Sequence, residues 1–438
     1  MRIRPAIHQV IQAVCWITLL LLTSATGIQA QSDTPALPQI SGTLAYIGND
    51  YNVYTFTPAS SQNSVQLTTD AAPSHRYIYP TWSDDNRLAY FCCDIQTSST
   101  PVVEIYVSDT PDQSGTLIYN ESEEIMTYAY WSPEACVDQP DCRDLAVLIG
   151  RATVAGFKVE IFHNTAGDTS AVAHDQVGTG SPFYFSWSPN GSQMLWQRNN
   201  RRMDVFSLAD MSSRQLNQIP GGFAAPMWSP VDDRLLFGQL NTENLTTDLV
   251  VSEDDEITPL VERIGGLVAF NWSPDGKYIA YRILNRQGYG NLIVIDAKTG
   301  AEIATSSVDN VVSFFWSPDS QSIAYVTPDI RRSGTFDASY SPQQQNDRLE
   351  LIWSVLSLTN GTSQRFSVFS PTPEMVYILT YFDQFAQSHR LWSSDSHALV
   401  YGEVTLEGEP SVSILDIAGH NAVPFSVASG VLGIWSYQ

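Results

Sequence analysis

The sequence predicts an all-β chain closed into a single β-propeller, a ring of four-stranded blades, and three observations predict it. First, a unit of tryptophan, tight turn and alternating strand, clearest as NWSPDGKYIAYRI from Asn271 to Ile283, recurs along the chain. Second, the tryptophans of successive units, Trp82, Trp131, Trp187, Trp228, Trp272, Trp316, Trp392 and Trp435, lie 49, 56, 41, 44, 44, 76 and 43 residues apart. Most of these intervals suit a four-stranded blade of ~40 to 50 residues. Third, the first strands, within GTLAYIGNDYNVYTFTP, have no Trp-Ser strand before them, while the last stretch, SGVLGIWSYQ, is a Trp-Ser strand with nothing after it. The two ends together make one blade, so the C-terminal strand is expected to pair with the N-terminal blade and close the ring.

The unit is a β-hairpin by its letters. In Ser-Pro-Asp-Gly, Pro274 presets φ and Gly276 takes the left-handed conformation, so one strand ends at Trp272 and the next begins near Lys277. Tyr278, Ala280 and Tyr281 then fall in a β-prone run too short for an ordinary helix. Each blade is expected to run outward from the Trp strand through an IAY-type strand and an IYV-type strand (Val103–Val107, Leu292–Ile295, Val412–Leu415) to a short outer strand. Counting Trp strands gives eight blades; seven is the alternative, if the Trp131 unit with its elongated turn is not a full blade. Aromatics ahead of the tryptophans, such as Tyr128, Tyr130, Phe183, Phe185, Phe270, Phe314 and Phe315, are read as packing between blades.

The WSPDG turn followed by IAY and IYV strands resembles the TolB-type, WD-like propeller repeat over essentially the whole chain after the N-terminus. Two departures qualify the resemblance. TolB proteins carry a separate α/β domain first, which the short linker here does not supply, and prolyl-oligopeptidase-type enzymes add a hydrolase domain after a similar propeller.

Residues 1–30 read as a secretory signal: Arg2 and Arg4, an apolar run from about Val10 to Leu22, and a small residue, Ala30, at the cleavage point. Ile28 departs from the preferred small residue, and an uncleaved anchor is the alternative. Residues 31–41 form a linker and 42–438 the propeller. No stretch after the signal is apolar enough to span a membrane. Cys15 leaves with the signal, and four cysteines remain in an oxidising compartment. Cys136 and Cys142 share one loop and are the favoured pair; Cys92 and Cys93 form a vicinal bond or stay as free buried thiols. With 22 basic and 46 acidic residues, a formal charge of −24 opposes nucleic acid and anionic membrane surfaces as partners.

Strands alternate in direction, so first-to-second and third-to-fourth turns share one face and the remaining connections the other. Most long insertions belong to the second set: the stretch after Cys93, Thr327 to Arg348, and Ser370 to Ser388. Loops on a rigid scaffold are where binding usually resides. In the last insertion Thr372 caps a helix with Pro373 at its first position, and that helix either plugs the ring or presents Tyr377, Tyr381 and Phe385 as an aromatic patch. Arg331, Arg332, Phe336 and Tyr340 on the neighbouring insertion join that patch. His75 with Arg76 and His389 with Arg390, at the starts of two inner strands, are candidates for an anion site at the channel entrance.

There is no G-x-S-x-G elbow, no H-E-x-x-H and no histidine pair at metal-ligand spacing, so no catalytic residue, metal or cofactor is assigned. The leading expectation is a secreted or periplasmic, non-enzymatic and monomeric propeller that binds a protein or cell-envelope component through its loop-rich face. The alternative is a propeller enzyme, a polysaccharide lyase or hydrolase or a peptidase, with its site in the central channel.

Overall fold

Alternation of buried and half-exposed residues along short β-prone runs, each bounded by a turn, yields 32 strands among the described residues, which pair antiparallel into eight sheets. The structure, a computed structural model, describes residues 40–58, 64–92, 101–136, 142–151, 155–163, 172–222, 224–329, 348–419 and 423–438. Seven blades follow chain order, with inner strands at Tyr77–Trp82, Glu124–Trp131, Phe183–Trp187, Met227–Trp228, Leu267–Trp272 and Ser313–Trp316, and at the bridged segment containing Trp392. The eighth is composite: Gly430–Trp435 lies antiparallel to Leu44–Gly48, with Leu44 opposite Trp435. The Trp131 unit is a full blade, so the count is eight. The long interval from Trp316 to Trp392 contains a helical insertion, and no further sheet occurs there among the described residues.

The Trp272 copy shows how the hairpin turn is built. Ser273 N–H donates to the Tyr278 carbonyl and Gly276 N–H to the Ser273 carbonyl, both at 2.9 Å. The Ser273 hydroxyl donates to Asp275 Oδ1 (2.7 Å) and accepts from Tyr278 N–H (2.9 Å). Asp275 is thus a turn cap. Asn190 does the same work in the Trp187 copy, bonding Ser188 and Ser192. In the Trp228 copy, where Val231 stands in its place, Asp232 one residue on accepts from Arg234 N–H at 3.2 Å. Burial opposes the Asp275 charge, but bonds from Lys277 and Ser273 outweigh it and hold its pKa below the usual carboxylate value.

The fourth turn position is left-handed in five copies: Gly276 at φ 67°, Gly191 at 66°, Asn86 at 66°, Ser320 at 61° and Ser396 at 63°. Non-glycine residues are strained there, and each of the three is tied to a neighbouring blade. Ser320 Oγ accepts Asp275 N–H (3.1 Å), Ser396 Oγ accepts Asp319 N–H (3.1 Å), and Asn86 Nδ2 donates to Gln438 Oε1 (2.9 Å). Glycine occurs where the preceding turn comes too close, since a Cβ on Gly191 would sit 2.2 Å from Ser132 Oγ.

The tryptophans join the blades. Indole N–H groups of Trp131, Trp187 and Trp392 donate at 3.0 Å to Thr81, Tyr130 and Phe315 carbonyls, and Trp316 donates at 3.4 Å to Asn271. In each case the acceptor is the residue just before the previous blade's tryptophan. Tyr128, Phe183, Phe185, Phe270, Phe314 and Phe315 are buried as expected, whereas Tyr130 is half-exposed toward the channel.

Ile40 and Ser41, assigned to the linker by sequence, belong to the ring: Ile40 is buried in the eighth blade's core, and Ser41 N–H bonds Asp395 of the seventh blade. The signal segment and Cys93 lie outside the described residues. Cys136 and Cys142 are disulfide-bonded with Cα atoms 5.2 Å apart, and Cys92 is disulfide-bonded too. Among the described residues no helix is long and apolar enough to cross a membrane.

Candidate functional site: a channel plugged from one side

The insertion after the sixth blade enters the channel. Thr372 accepts Met375 N–H and donates to Val431 O (2.6 Å), Pro373 opens the helix, and α1 (Pro373–Thr380) leads through Tyr381 into the short α2 (Phe382–Phe385). Met375, Ile378, Leu379, Phe382, Gln384 and Phe385 are buried.

The plug is fastened around the ring by specific contacts. Thr81 Oγ1 donates to Ser388 O (3.2 Å), Tyr128 Oη to Gln384 O (3.0 Å), Gln384 Nε2 to Phe185 O (2.8 Å) and Ala225 N–H to Asp383 Oδ2 (3.3 Å). The Arg282 guanidinium lies 5.2 Å from the centre of the Phe382 ring, which packs 4.8 Å from Phe314. Burial lowers the Arg282 pKa and raises that of Asp383, although the Ala225 amide and Arg282 draw Asp383 back toward its charged form.

This arrangement corrects the expected aromatic patch. Tyr381 is 41% exposed, but Phe385 is 2% exposed and Tyr377 is half-buried, stacked 5.1 Å from Tyr79. The helix breaks at Tyr381 (φ −108°, ψ 32°), which resets the helical phase and turns Phe385 inward against Tyr128 and His389. Arg331, Arg332, Phe336 and Tyr340 lie outside the described residues.

The two His-Arg pairs, alike in sequence, part company. His75 Nε2 lies 3.5 Å from Asp70, 3.8 Å from Glu104 and 3.3 Å from the Tyr77 hydroxyl, and Arg76 sits over the Tyr51 ring; neither lines the channel cavity. His389 does line it, but is 1% exposed, and burial pushes its pKa down to about 3, so it is neutral and cannot charge-pair with an anion. Arg390 alone brings a cation to the cavity. His75 also clusters with Cys92 and Glu104, and Asp144 with Cys136 and Cys142. All three cysteines are in disulfides and have no thiolate to offer a metal.

Opposite the plug, on the face of the Trp-Ser turns, the channel remains open as a cup of about 330 Å³. Its wall is made by tryptophans of seven blades and by turn prolines such as Pro133, Pro189 and Pro274; Ala386 and Gln387 are the plug's contribution. Its charged groups are Arg390, whose guanidinium lies 3.6 Å from the centre of the Tyr437 ring, and Asp84. Burial raises the Asp84 pKa against the pull of Arg390 and Arg143. Sequence reading treated these turns as scaffold and missed the cup; the one available signal was that the same Trp-Ser letters, followed by proline in five copies, meet around one axis.

No family model matches the chain, and no curated protein matches it. Solved structures similar to it include TolB proteins and a β-propeller domain. They also include the eukaryotic initiation factor, at 10% identity over 90% of this chain and 98% of that chain, with a TM-score of 0.51. TolB from Acinetobacter baumannii matches at 12% identity over 83% of each chain with a TM-score of 0.38. An oligogalacturonate lyase in complex with manganese matches at 12% identity over 78% of this chain and 98% of that one, at 0.46. Likeness at these identities is a likeness of fold.

Proposed function

We propose that the protein is a non-enzymatic binding propeller of an extracytoplasmic compartment that takes a protein or cell-envelope partner on its loop-rich face. The observation that carries this reading is where apolar surface is left uncovered. Of the eleven large apolar side chains that stand most exposed, Ile219, Leu245, Leu267, Val308, Tyr381 and Leu406 lie on the plug face, against Met211, Val231 and Val423 on the turn face. Leu406 is 93% exposed and Leu245 80%. Both occupy tips of second-to-third strand turns, positions where solubility alone favours a polar residue.

The insertions that carry Arg331, Arg332, Phe336 and Tyr340 leave and re-enter the sheet at Pro328 and Leu351, strand ends on the same face. The Cys136–Cys142 bond and the basic, then apolar, N-terminus support an oxidising compartment. Paired carboxylates for hydrolysis are not offered by the cup, where Asp84 stands alone among the described residues.

Crosslinking in the native envelope or secreted fraction tests the reading. A variant lacking residues 328–347, and a second carrying Leu245→Ser, Tyr381→Ser and Leu406→Ser, are both expected to fold and to lose the partner-specific crosslinks. Unchanged capture by both would overturn it.

A further inference from the structure

We propose that the cup on the turn face is a second, separate binding site, for a small oxygen-rich carboxylate of the size and class of a sugar acid, anchored by Arg390. Its volume of about 330 Å³ lies at the lower end of small-ligand pockets, about 300–1,000 Å³. It has room for a monosaccharide-sized molecule and too little for a folded partner. The plug residues Ala386 and Gln387 line it, so a ligand entering from the turn face meets the plug rather than passing through.

The polar groups of the wall decide what kind of ligand. Arg390 forms no close ion pair among the described residues, although its charge acts on Asp84 in the same cup; its guanidinium rests on the Tyr437 ring. Residues lining the cup hold five further side-chain nitrogens that are buried and unpartnered: Asn271 Nδ2, His389 Nε2 and the indole nitrogens of Trp82, Trp228 and Trp272. The contrast within the repeat is informative, because the indoles of Trp131, Trp187, Trp316 and Trp392 are all spent on the neighbouring blade. A buried donor without an acceptor is costly, and a cup whose lining residues carry such donors beside one cation suits a ligand with several acceptor oxygens and a negative charge. Aromatic rings and prolines supply the apolar surface on which the C–H face of a sugar ring packs. Such a site depends on the local cation, since the chain's formal charge of −24 repels anions at long range.

The probe is D-glucuronate, with D-glucose as the neutral counterpart and acetate as the bare carboxylate, each titrated into the whole protein. Readouts are calorimetry and tryptophan fluorescence, which the indoles of the wall make sensitive to occupancy. Glucuronate is expected to bind, with glucose and acetate each weaker by about tenfold or more, because each lacks one half of the recognition. Arg390→Gln is expected to weaken glucuronate about tenfold or more, and Asn271→Leu by several-fold. If Arg390→Gln does not fold, the ionic-strength dependence of wild-type affinity replaces it: binding that rests on the guanidinium weakens with salt. No glucuronate binding up to roughly 10 mM, the weak limit of useful affinity, would overturn the proposal. So would glucose binding equally well, or affinity indifferent to both Arg390 and salt. Loss of crosslinks on the plug face bears on none of these outcomes.

Discussion

The two faces of the ring are made from the same repeat and solve different problems. On the turn face copies spend side chains on the copy before: Ser320 on Asp275, Ser396 on Asp319, Asn86 on Gln438, and four indoles on carbonyls of the preceding blade. That face is uniform because any one turn is constrained by two others. Connections on the opposite face vary in length, and one of them has lengthened into a plug. Regularity therefore marks where the blades hold each other, and irregularity where the chain could acquire parts without disturbing the ring.

The largest effect should come from breaking closure, which both faces share. Removing residues 430–438 deletes the inner strand of the eighth blade along with Trp435 and the Gln438 bonds to Asn86 and Asp84. Cooperative thermal unfolding by circular dichroism is expected to disappear or to shift down sharply; a melt like the parent's contradicts closure by this strand.

Next comes the plug. Phe382→Ala empties a buried site and is expected to cost about 3–5 kcal/mol in urea denaturation, while Tyr381→Ala, one residue earlier but exposed, should stay within about 0.5 kcal/mol. Similar values for the two would mean that the insertion lies on the ring rather than in it.

Acid separates the faces again. His389, packed against Phe385, Tyr128 and the Ser388 hydroxyl, has a folded pKa of about 3, below the unfolded value of ~6.5. Between those values the unfolded chain binds a proton that the fold refuses, so stability is full above ~6.5 and falls as pH drops, by up to about 1.4 kcal/mol per pH unit. The turn aspartates Asp275, Asp232 and Asp395 have lowered pKa values and begin to withdraw their contribution only below ~4. His163, raised chiefly by its bond to Asp144, acts in the opposite sense, its contribution being lost as pH rises beyond ~6.5. Stability measured from pH 6.5 to 4 should thus flatten in His389→Gln, and an unchanged slope would falsify its assignment.

The smallest effects belong to single turns. Asp275→Asn is expected to be nearly neutral, since Asn190 fills that role one blade pair away, and Asp275→Ala to cost about 1 kcal/mol by thermal melting. Ser320→Ala should cost a similar ~1 kcal/mol, because it removes the tether and keeps the left-handed strain.

Much of the ring was legible because each blade repeats the statement. Trp272, Pro274 and Gly276 dictate a hairpin locally, and eight copies with a split final blade dictate closure. Thr372 and Pro373 likewise announced a helix. The direction in which that helix faces was not legible, because it depends on a break at Tyr381 that places Phe385 against residues more than 250 positions away in sequence, such as Tyr128. The cup was hidden for a related reason. No single Trp-Ser-Pro turn is a binding motif, and only convergence about an axis turns seven packing tryptophans into a wall. Conversely, sequence symmetry misled at His75 and His389, whose identical neighbours conceal opposite surroundings.

The split blade has one further consequence, for a chain made from its N-terminus. The strand Leu44–Gly48, buried at every residue in the finished ring, is synthesised with its hairpin partner long before Gly430–Trp435 exists. Until Gly430–Trp435 is made it presents a wholly apolar, unpaired strand edge, the kind that recruits other chains. The ring is therefore exposed to misassembly until its closing strand forms, and Gly430–Trp435 acts as edge protection for the first strand.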